Sequence, residues 1–138
     1  QARTLVDAGQ LQGYLLGSYS ARKLGMQSTG NAGGAHNLRV QSSGHSVAEL
    51  LAEMGSGVFV TELLGHGMNM VTGDYSRGAA GFWVENGVIV HPVEEITIAS
   101  NMKDMLKNIV AIGNDVIPNS SKLTGSILIA PMTVASAA

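Results

Sequence analysis

Residues 58–90, VFVTELLGHGMNMVTGDYSRGAAGFWVENGVIV, decide the fold. Both the start of this stretch (residues 58–64) and its later part (residues 80–85) are rich in β-branched and aromatic residues, which favour strands. Asn86-Gly87 follows directly, and this pair is a strong hairpin signal because both turn positions need a positive φ. The stretch therefore predicts an antiparallel sheet that contains a tight hairpin.

Two helices are predicted on either side of this stretch. Ser46 with Glu49 three residues later fits a capping box, and the apolar stripe that follows ends at Gly55. Asn101 is predicted to cap a second helix, whose apolar stripe extends as far as Gly113. These signals are local, so they fix where the helices begin but not how they pack.

The remaining runs complete a fold class. Residues 11–19 and 37–41 are predicted as strands, as are two late runs at 126–130 and 132–134. The sum is an α+β domain with a mainly antiparallel sheet of short strands, either open or barrel-like, and two or three short helices. A length of 138 residues predicts one domain over 1–138, and the first residue, which is not Met, suggests a fragment of a longer protein.

Composition excludes several classes of function. Net charge is −2, which argues against a nucleic-acid groove or a polybasic membrane patch, and no apolar run approaches the roughly 18 residues that span a bilayer. There is no cysteine, hence no disulfide and no thiolate metal site. Charged residues make up 13% of the chain, about half of the usual ~25%. This composition fits a surface partly covered by another domain or subunit, and it fits equally a β-rich domain whose loops use Gly, Ser and Asn in place of Lys and Glu.

The sequence holds no complete catalytic or metal-binding motif. Its four histidines lack the spacing of a local metal site, and no nucleophile elbow occurs. A serine–lysine hydrolase that uses Ser20 and Lys23 stays open as a minor alternative, because Ser-x-x-Lys occurs there. No residue is therefore predicted to be catalytic or to bind metal, and no cofactor is expected in this chain.

One segment concentrates polar side chains in a chain that has few of them. Residues 62–81 join the two strand-forming runs through a glycine-rich loop that contains His66, Asn69, Asp74 and Arg77. We expect these four residues to face a peptide or a partner protein. The alternative is a long hairpin in which Asp74 and Arg77 satisfy backbone groups and each other.

Two long segments carry a resemblance to a known family. TELLGHGMNMVTGDYSRGAAGFWVENG and the later HPVEEITIASNMKDMLKNIVAIGND closely resemble the C-terminal domain of the TldD/PmbA family, as does LQGYLLGSYSARKLGMQSTGNAGGAHNL upstream. The likeness covers roughly residues 9–134 and is closest to the PmbA (TldE) branch. Ordered similarity over this length is far more specific than any of the short motifs.

The resemblance implies a cytoplasmic assembly of two related subunits that acts as a zinc metallopeptidase. A TldD-type catalytic subunit would hold zinc through His-Glu-x-x-x-His and a cysteine near its own C-terminus. The assembly would cleave unfolded or short peptides, including leaders of peptide antibiotics, and members are often labelled modulators of DNA gyrase. This chain has no His-Glu-x-x-x-His, and its 116–125 region, where the partner would supply the cysteine, reads VIPNSSKLTG.

The expected function follows from the residues and the resemblance together. We expect a non-catalytic structural and substrate-positioning domain, with zinc in the partner subunit and with the N-terminal domain of the same parent protein as a further neighbour. A peptide could be held by strand addition to an exposed sheet edge. The alternative is a peptide-binding or assembly module unrelated to hydrolysis. Neither a nucleic acid nor a membrane is expected as a partner.

Overall fold

The computed structural model describes residues 2–136, which form two compact units. The smaller unit contains the residues up to Arg39 together with Asn119–Lys122. The larger unit contains Val40–Pro118 and the residues from Leu123 onward. This division concerns backbone contacts, and the prediction of one domain over 1–138 stays a prediction.

The smaller unit contains little regular structure. It holds the strands β1 (Val6–Asp7) and β2 (Gln10–Leu11), which form an antiparallel pair, the helix α1 (Ser18–Lys23) and the strand β3 (Leu38–Arg39). The prediction of a strand over 11–19 is wrong beyond residue 11. Buried Leu16 instead bonds to a nearby loop, because its backbone N–H donates to the Thr29 hydroxyl at 2.7 Å and its carbonyl accepts from the Thr29 N–H at 3.0 Å.

The larger unit contains most of the strands, and its main sheet is open. Its elements are α2 (Val47–Met54), β4 (Gly57–Leu64), β5 (Asp74–Glu85), β6 (Val88–Asn101), α3 (Met102–Lys107), β7 (Ile109–Ile112), β9 (Ile127–Ile129) and β10 (Thr133–Ser136), while β8 (Lys122–Leu123) lies at the unit boundary. The main sheet has the order β10-β6-β5-β4 and is antiparallel throughout. The α+β class with a mainly antiparallel sheet and three short helices is therefore confirmed, in its open form.

The predicted hairpin joins the two longest strands. Asn86 and Gly87 have φ values of 51° and 76°, as the turn requires, and they connect β5 to β6. Pairing runs from Glu85 opposite Val88 to Asp74 opposite Asn101. The hairpin thus extends well beyond the predicted strand over 80–85, because the polar and glycine residues before it also pair with β6.

The centre of β5 is made of small residues. The segment Gly78-Ala79-Ala80-Gly81 lies between β4 on one side and β6 on the other, and Ala79 is fully buried. A Cβ atom on Gly81 would collide with the backbone carbonyl of Phe59. Glycine at this position therefore allows β4 to approach β5 closely.

The first predicted helix is confirmed with its cap. The Glu49 N–H donates to the Ser46 hydroxyl at 3.2 Å, and the Ser46 N–H donates to the Glu49 carboxylate at 2.7 Å. That backbone N–H lowers the pKa of Glu49, since it stabilises the charged carboxylate. The helix α2 ends at Met54, and its C-cap residue Gly55 has a φ of 70°.

The second predicted helix begins correctly and ends too late. The Asn101 side chain accepts from the Lys103 N–H at 3.0 Å and caps α3, as expected. The helix stops at Lys107, however, and Ile109–Ile112 forms β7, paired antiparallel with β9. β-Branched residues on both partners favour this pairing over a longer helix.

In the described residues, we find no helix with the length and apolarity needed to cross a membrane.

We expect Gly81→Ala to destabilise the protein by about 2 kcal/mol, since the added methyl group must displace the backbone of β4. Urea unfolding of the full chain measures this loss. Gly33→Ala is the matched control, because a Cβ there meets nothing within 4 Å, and it should change stability by less than about 0.5 kcal/mol. Equal losses for the two variants would contradict the close approach at Gly81.

Candidate functional site

The segment predicted as one loop over 62–81 is two strands joined by a turn. The strand β4 extends to Leu64 and β5 begins at Asp74, so the turn comprises residues 65–73. Arg77 therefore lies within β5, and Asp74 is the first residue of that strand. The strand predicted over 58–64 is confirmed. The loop prediction is wrong for residues 74–79, because the glycines at 78 and 81 serve strand packing rather than chain flexibility. The segment is therefore the long hairpin of the alternative interpretation.

The turn is closed at its base by backbone contact. The Ser76 N–H donates to the Gly67 carbonyl at 2.7 Å, and Met68 forms an isolated antiparallel bridge with Tyr75. A Cβ atom on Gly67 would collide with the Ser76 carbonyl oxygen. Glycine at 67 is thus required by a close backbone approach.

Asn69 organises the tip of the turn. Its side-chain oxygen accepts hydrogen bonds from the backbone N–H groups of Val71 at 2.9 Å and Thr72 at 3.1 Å. Its carbonyl accepts from the Gly73 N–H at 2.8 Å, and its own N–H donates to the Asp74 carbonyl at 2.8 Å. An Asn side chain that satisfies N–H groups two residues ahead is typical of an Asx turn.

Asp74 ties the turn to the end of β6. One of its carboxylate oxygens accepts from the Thr72 hydroxyl at 2.8 Å, and the other accepts from the Asn101 side-chain amide at 3.3 Å. The same amide donates to the Thr72 carbonyl at 3.0 Å. Asp74 and Asn101 are paired residues of neighbouring strands, so this small network fixes the turn on the hairpin.

Arg77 also bonds to the turn, but from the other face of β5. Its Nη2 atom donates to the Gly65 carbonyl at 2.7 Å. Residues three apart on a strand point to opposite faces, and among the described residues no ion pair joins Asp74 to Arg77. The Arg77 Nε atom is buried and has no hydrogen-bond partner within residues 2–136.

The exposed part of the turn includes both polar and apolar side chains. His66 is exposed, and no hydrogen bond from its ring occurs within the described part of the chain. In the same turn, Met70 is 82% exposed and Val71 is 94% exposed. Sequence reasoning missed these two residues, although apolar side chains in a short turn between Gly67 and Gly73 are themselves a signal of exposure.

The larger unit also contains an apolar groove that the sequence did not reveal. Its volume is about 960 Å³. Two of its walls are β4 and the segment 126–132, and side chains of α2 such as Leu50 and Met54 contribute to it. Tyr75, Ile98 and Val134, from the other three strands of the main sheet, also line it. The two walls are more than sixty residues apart in the chain, so no local pattern predicts that they meet.

Asp115 and Ser126 flank the region 116–125 and are joined by hydrogen bonds. The resemblance places the partner's cysteine in this region. The carboxylate of Asp115 accepts from the Ser126 N–H at 2.9 Å and from the Ser126 hydroxyl at 2.6 Å. Burial raises the pKa of Asp115, but these two hydrogen bonds outweigh burial and hold that pKa below its ordinary value.

The donor groups in the described residues do not fit a zinc site. No group of three or more His, Asp or Glu side chains comes together within residues 2–136. The nearest approach to one is His45, whose Nε2 atom lies 3.6 Å from the Glu53 carboxylate and whose Nδ1 atom lies 2.9 Å from the Ser43 hydroxyl. A structural zinc needs four ligands and a catalytic zinc needs three, so this pair is not sufficient.

The alternative pair Ser20 and Lys23 is not joined in the structure. The Ser20 hydroxyl accepts from the Gly17 N–H at 3.0 Å and donates to the Gly17 carbonyl at 3.2 Å, at the start of α1. The Lys23 ammonium lies 5.9 Å from the centre of the Tyr19 ring. Within the part of the chain that the structure describes, no hydrogen bond links Ser20 to Lys23.

The open antiparallel sheet, with its tight turn at 65–73 and its apolar groove, defines a domain shared with known proteins. Residues 1–136 match the family described as the PmbA/TldA metallopeptidase C-terminal domain. The chain belongs to this family, and its predicted resemblance is confirmed.

The chain is similar to longer curated proteins of this family. It is 56% identical over 135 residues to metalloprotease PmbA of Escherichia coli O157:H7, which covers 98% of this chain and 30% of that protein. It is 53% identical over 135 residues to the metalloprotease PmbA homolog of Haemophilus influenzae, covering 97% of this chain and 30% of that protein. The chain thus spans about 30% of the length of these curated relatives.

Solved structures have the same fold. A Bacteroides thetaiotaomicron protein named as a modulator of DNA gyrase has a TM-score of 0.90 at 31% identity, over 98% of this chain and 30% of its own. A similarly named Thermotoga maritima protein has a TM-score of 0.83 at 41% identity, over 95% of this chain and 32% of its own.

We expect Asn69→Ala to cost about 1 kcal/mol of unfolding free energy, because two backbone N–H groups lose their acceptor. Asn69→Asp keeps a side-chain oxygen in the same place and should retain most of the stability. Urea unfolding of both variants measures the difference. Equal losses for Ala and Asp would show that the side-chain oxygen does not hold the turn.

Proposed function

We propose that this chain is a non-catalytic structural and substrate-positioning domain of a two-subunit zinc metallopeptidase. In this proposal a TldD-type subunit provides the zinc and the hydrolysis, and the substrates are unfolded or short peptides, including leaders of peptide antibiotics. The observation that supports it most is the combination of metallopeptidase family membership with a sequence that has neither His-Glu-x-x-x-His nor any cysteine. Zinc chemistry then needs ligands from outside these 138 residues.

The turn at 65–73 is suited to hold a partner. Asn69 and Asp74 make it rigid, so little conformational entropy would be lost when it binds. It presents His66, Met70 and Val71 to solvent. We therefore assign this turn to the contact with the TldD-type subunit, with Asn69, Asp74 and Arg77 as residues that shape it rather than as direct ligands.

Coverage by neighbouring domains is supported by the composition of the chain. Tyr19 is 71% exposed and Ile117 is 73% exposed, in a chain with only 13% charged residues. Single exposed apolar residues are ordinary, so the low share of charged residues, rather than any one side chain, supports this coverage. The N-terminal domain of the parent protein is our proposed cover, with the cytoplasm as the proposed location and with neither nucleic acid nor membrane as a partner.

The apolar groove favours a second candidate function. A peptide-binding or assembly module unrelated to hydrolysis would use the groove to hold its peptide or partner, as a substrate-positioning domain would. Unlike that domain, it would need no metal-bearing partner. The two proposals therefore differ in the requirement for a TldD-type subunit and not in the requirement for the groove.

We expect the chain to bind a co-expressed TldD-type subunit, and Val71→Asp to weaken that association at least ten-fold. A charge placed in an apolar contact must be desolvated, whereas the exposed site in the free chain tolerates it. Co-purification, zinc content and peptide cleavage of the complex measure the result. Val88→Asp, at the opposite end of the hairpin and 64% exposed, is the matched control and should bind normally.

Two outcomes would contradict the proposal. One equivalent of zinc with peptide cleavage by this chain alone would show that it carries its own active centre. Failure to bind any TldD-type subunit, with peptide binding intact, would favour the module unrelated to hydrolysis.

A further inference from the structure

Three side chains of the turn at 65–73 carry donor atoms that bind soft metal ions. They are His66, Met68 and Met70, which occupy alternate positions of the run HGMNM. Thioether sulfur selects copper(I), and imidazole nitrogen also suits copper, whereas thioether sulfur is not among the usual ligands of zinc. The lack of a zinc-type cluster of His, Asp and Glu within residues 2–136 therefore does not bear on a site for a softer ion.

The backbone places the first two of these side chains on one side of the turn. Residues 67–69 are extended, because they form antiparallel backbone contacts with residues 74–76. Side chains two positions apart in an extended segment point to the same side, with about 7 Å between their Cα atoms. His66 and Met68 therefore lie side by side, and their side chains are long enough to meet at one ion.

Met70 lies where the extended segment ends and the chain reverses. The Gly73 N–H donates to the Asn69 carbonyl at 2.8 Å across this reversal, so the backbone around Met70 is fixed. The Met70 side chain is 82% exposed, and Met68 is 44% exposed. Methionine has three rotatable bonds, so an exposed thioether on a fixed backbone can turn toward an ion that its neighbours already hold.

Carboxylate oxygen, which hard cations prefer, does not face these three side chains from within the turn. Asp74 is the only acidic residue between positions 65 and 77, and its carboxylate accepts hydrogen bonds from Thr72 and Asn101. Met68 pairs with Tyr75, so Asp74, one position earlier, directs its side chain to the opposite side of the strand pair. Magnesium and calcium thus lack their preferred ligands here.

A neighbouring charge favours a singly charged ion. The Arg77 guanidinium donates to the Gly65 carbonyl at 2.7 Å, and Gly65 directly precedes His66. Thioethers and a neutral imidazole do not offset the charge of a bound cation. Because Coulomb repulsion by Arg77 is twice as large for a divalent ion, the site favours a monovalent one.

We propose that the turn at 65–73 binds one copper(I) ion through the imidazole of His66 and the thioethers of Met68 and Met70. The inference goes beyond the proposed function, although it concerns the turn that we assign to the contact with the TldD-type subunit. Its test uses this chain alone, so that the two proposals are judged separately.

The first measurement is a metal titration of the full chain, followed by calorimetry. The probes are silver(I) nitrate in chloride-free buffer and copper(I) under anaerobic conditions, because silver(I) has the charge and ligand preference of copper(I) without its oxidation. We expect one equivalent of either ion to bind, and zinc(II) to bind about ten-fold more weakly or not at all.

The methionine methyl groups report where the ion binds. The chain has seven methionines, and labelling their methyl carbons with carbon-13 gives one NMR signal for each. The signals of Met68 and Met70 should shift and stop shifting at one equivalent of silver(I). The signal of Met26, which is 49% exposed in the smaller unit, should not move.

Substitution removes the donor atoms with little change of side-chain volume. We expect His66→Gln, Met68→Leu and Met70→Leu each to weaken silver(I) binding about ten-fold, and the triple variant not to bind. The matched control is the double variant Met26→Leu with His36→Gln, which removes an exposed methionine and an exposed histidine from the smaller unit. It should bind as the parent chain does, and thermal unfolding of every variant should be near that of the parent.

The outcomes separate this inference from the proposed function. No binding of either monovalent ion, binding that the triple variant retains, zinc(II) binding of equal affinity, or an equal shift of the Met26 signal would overturn the site. Any of these results with normal binding of the TldD-type subunit leaves the proposed function intact. Silver(I) binding at the turn with no association of a TldD-type subunit would support the site and contradict the two-subunit assembly.

Discussion

The close approach of β4 to the centre of β5 is the constraint on which the larger unit depends. Gly81 admits the Phe59 carbonyl where any side chain would collide, and Ala79, two residues earlier in β5, is fully buried. Because β6 occupies the other side of β5, β4 becomes the end of the sheet. Both the tight turn and the apolar groove are consequences of where β4 lies.

The turn and the groove use β4 in different ways. At its C-terminal end, β4 leads into the turn that Asn69 and Asp74 hold rigid, and this turn presents Met70 and Val71 to solvent. Residues 57–63 of the same strand line the groove. A partner on the turn would thus be held by the same strand that lines the groove, which is the physical basis of the proposed positioning role.

The features that could be predicted from the sequence are the local ones. The Ser46–Glu49 capping box and the Asn86-Gly87 turn each depend on residues within a few positions, and both occur as predicted. The end of α3 was not predictable in this way. Residues 109–112 leave the helix because they pair with β9, which comes some fifteen residues later in the chain.

The candidate site was only partly predictable for the same reason. Its polar residues were identified by their unusual concentration, but the pairing of Asp74 with Asn101 that turns half of the loop into strand is a long-range contact. The apolar residues at 70 and 71 carried a readable signal in their position between two glycines. No sequence signal indicated the groove, since its walls come from segments that are far apart in the chain.

Amide hydrogen exchange along β4 tests the central claim most directly, because it reports which backbone groups lack a partner. In the full chain without ligand, an open edge predicts that alternate amides between residues 57 and 63 exchange rapidly, while their neighbours and the amides of β5 exchange slowly. Uniformly slow exchange along β4 would mean that its outer edge is already covered. That result would contradict the account.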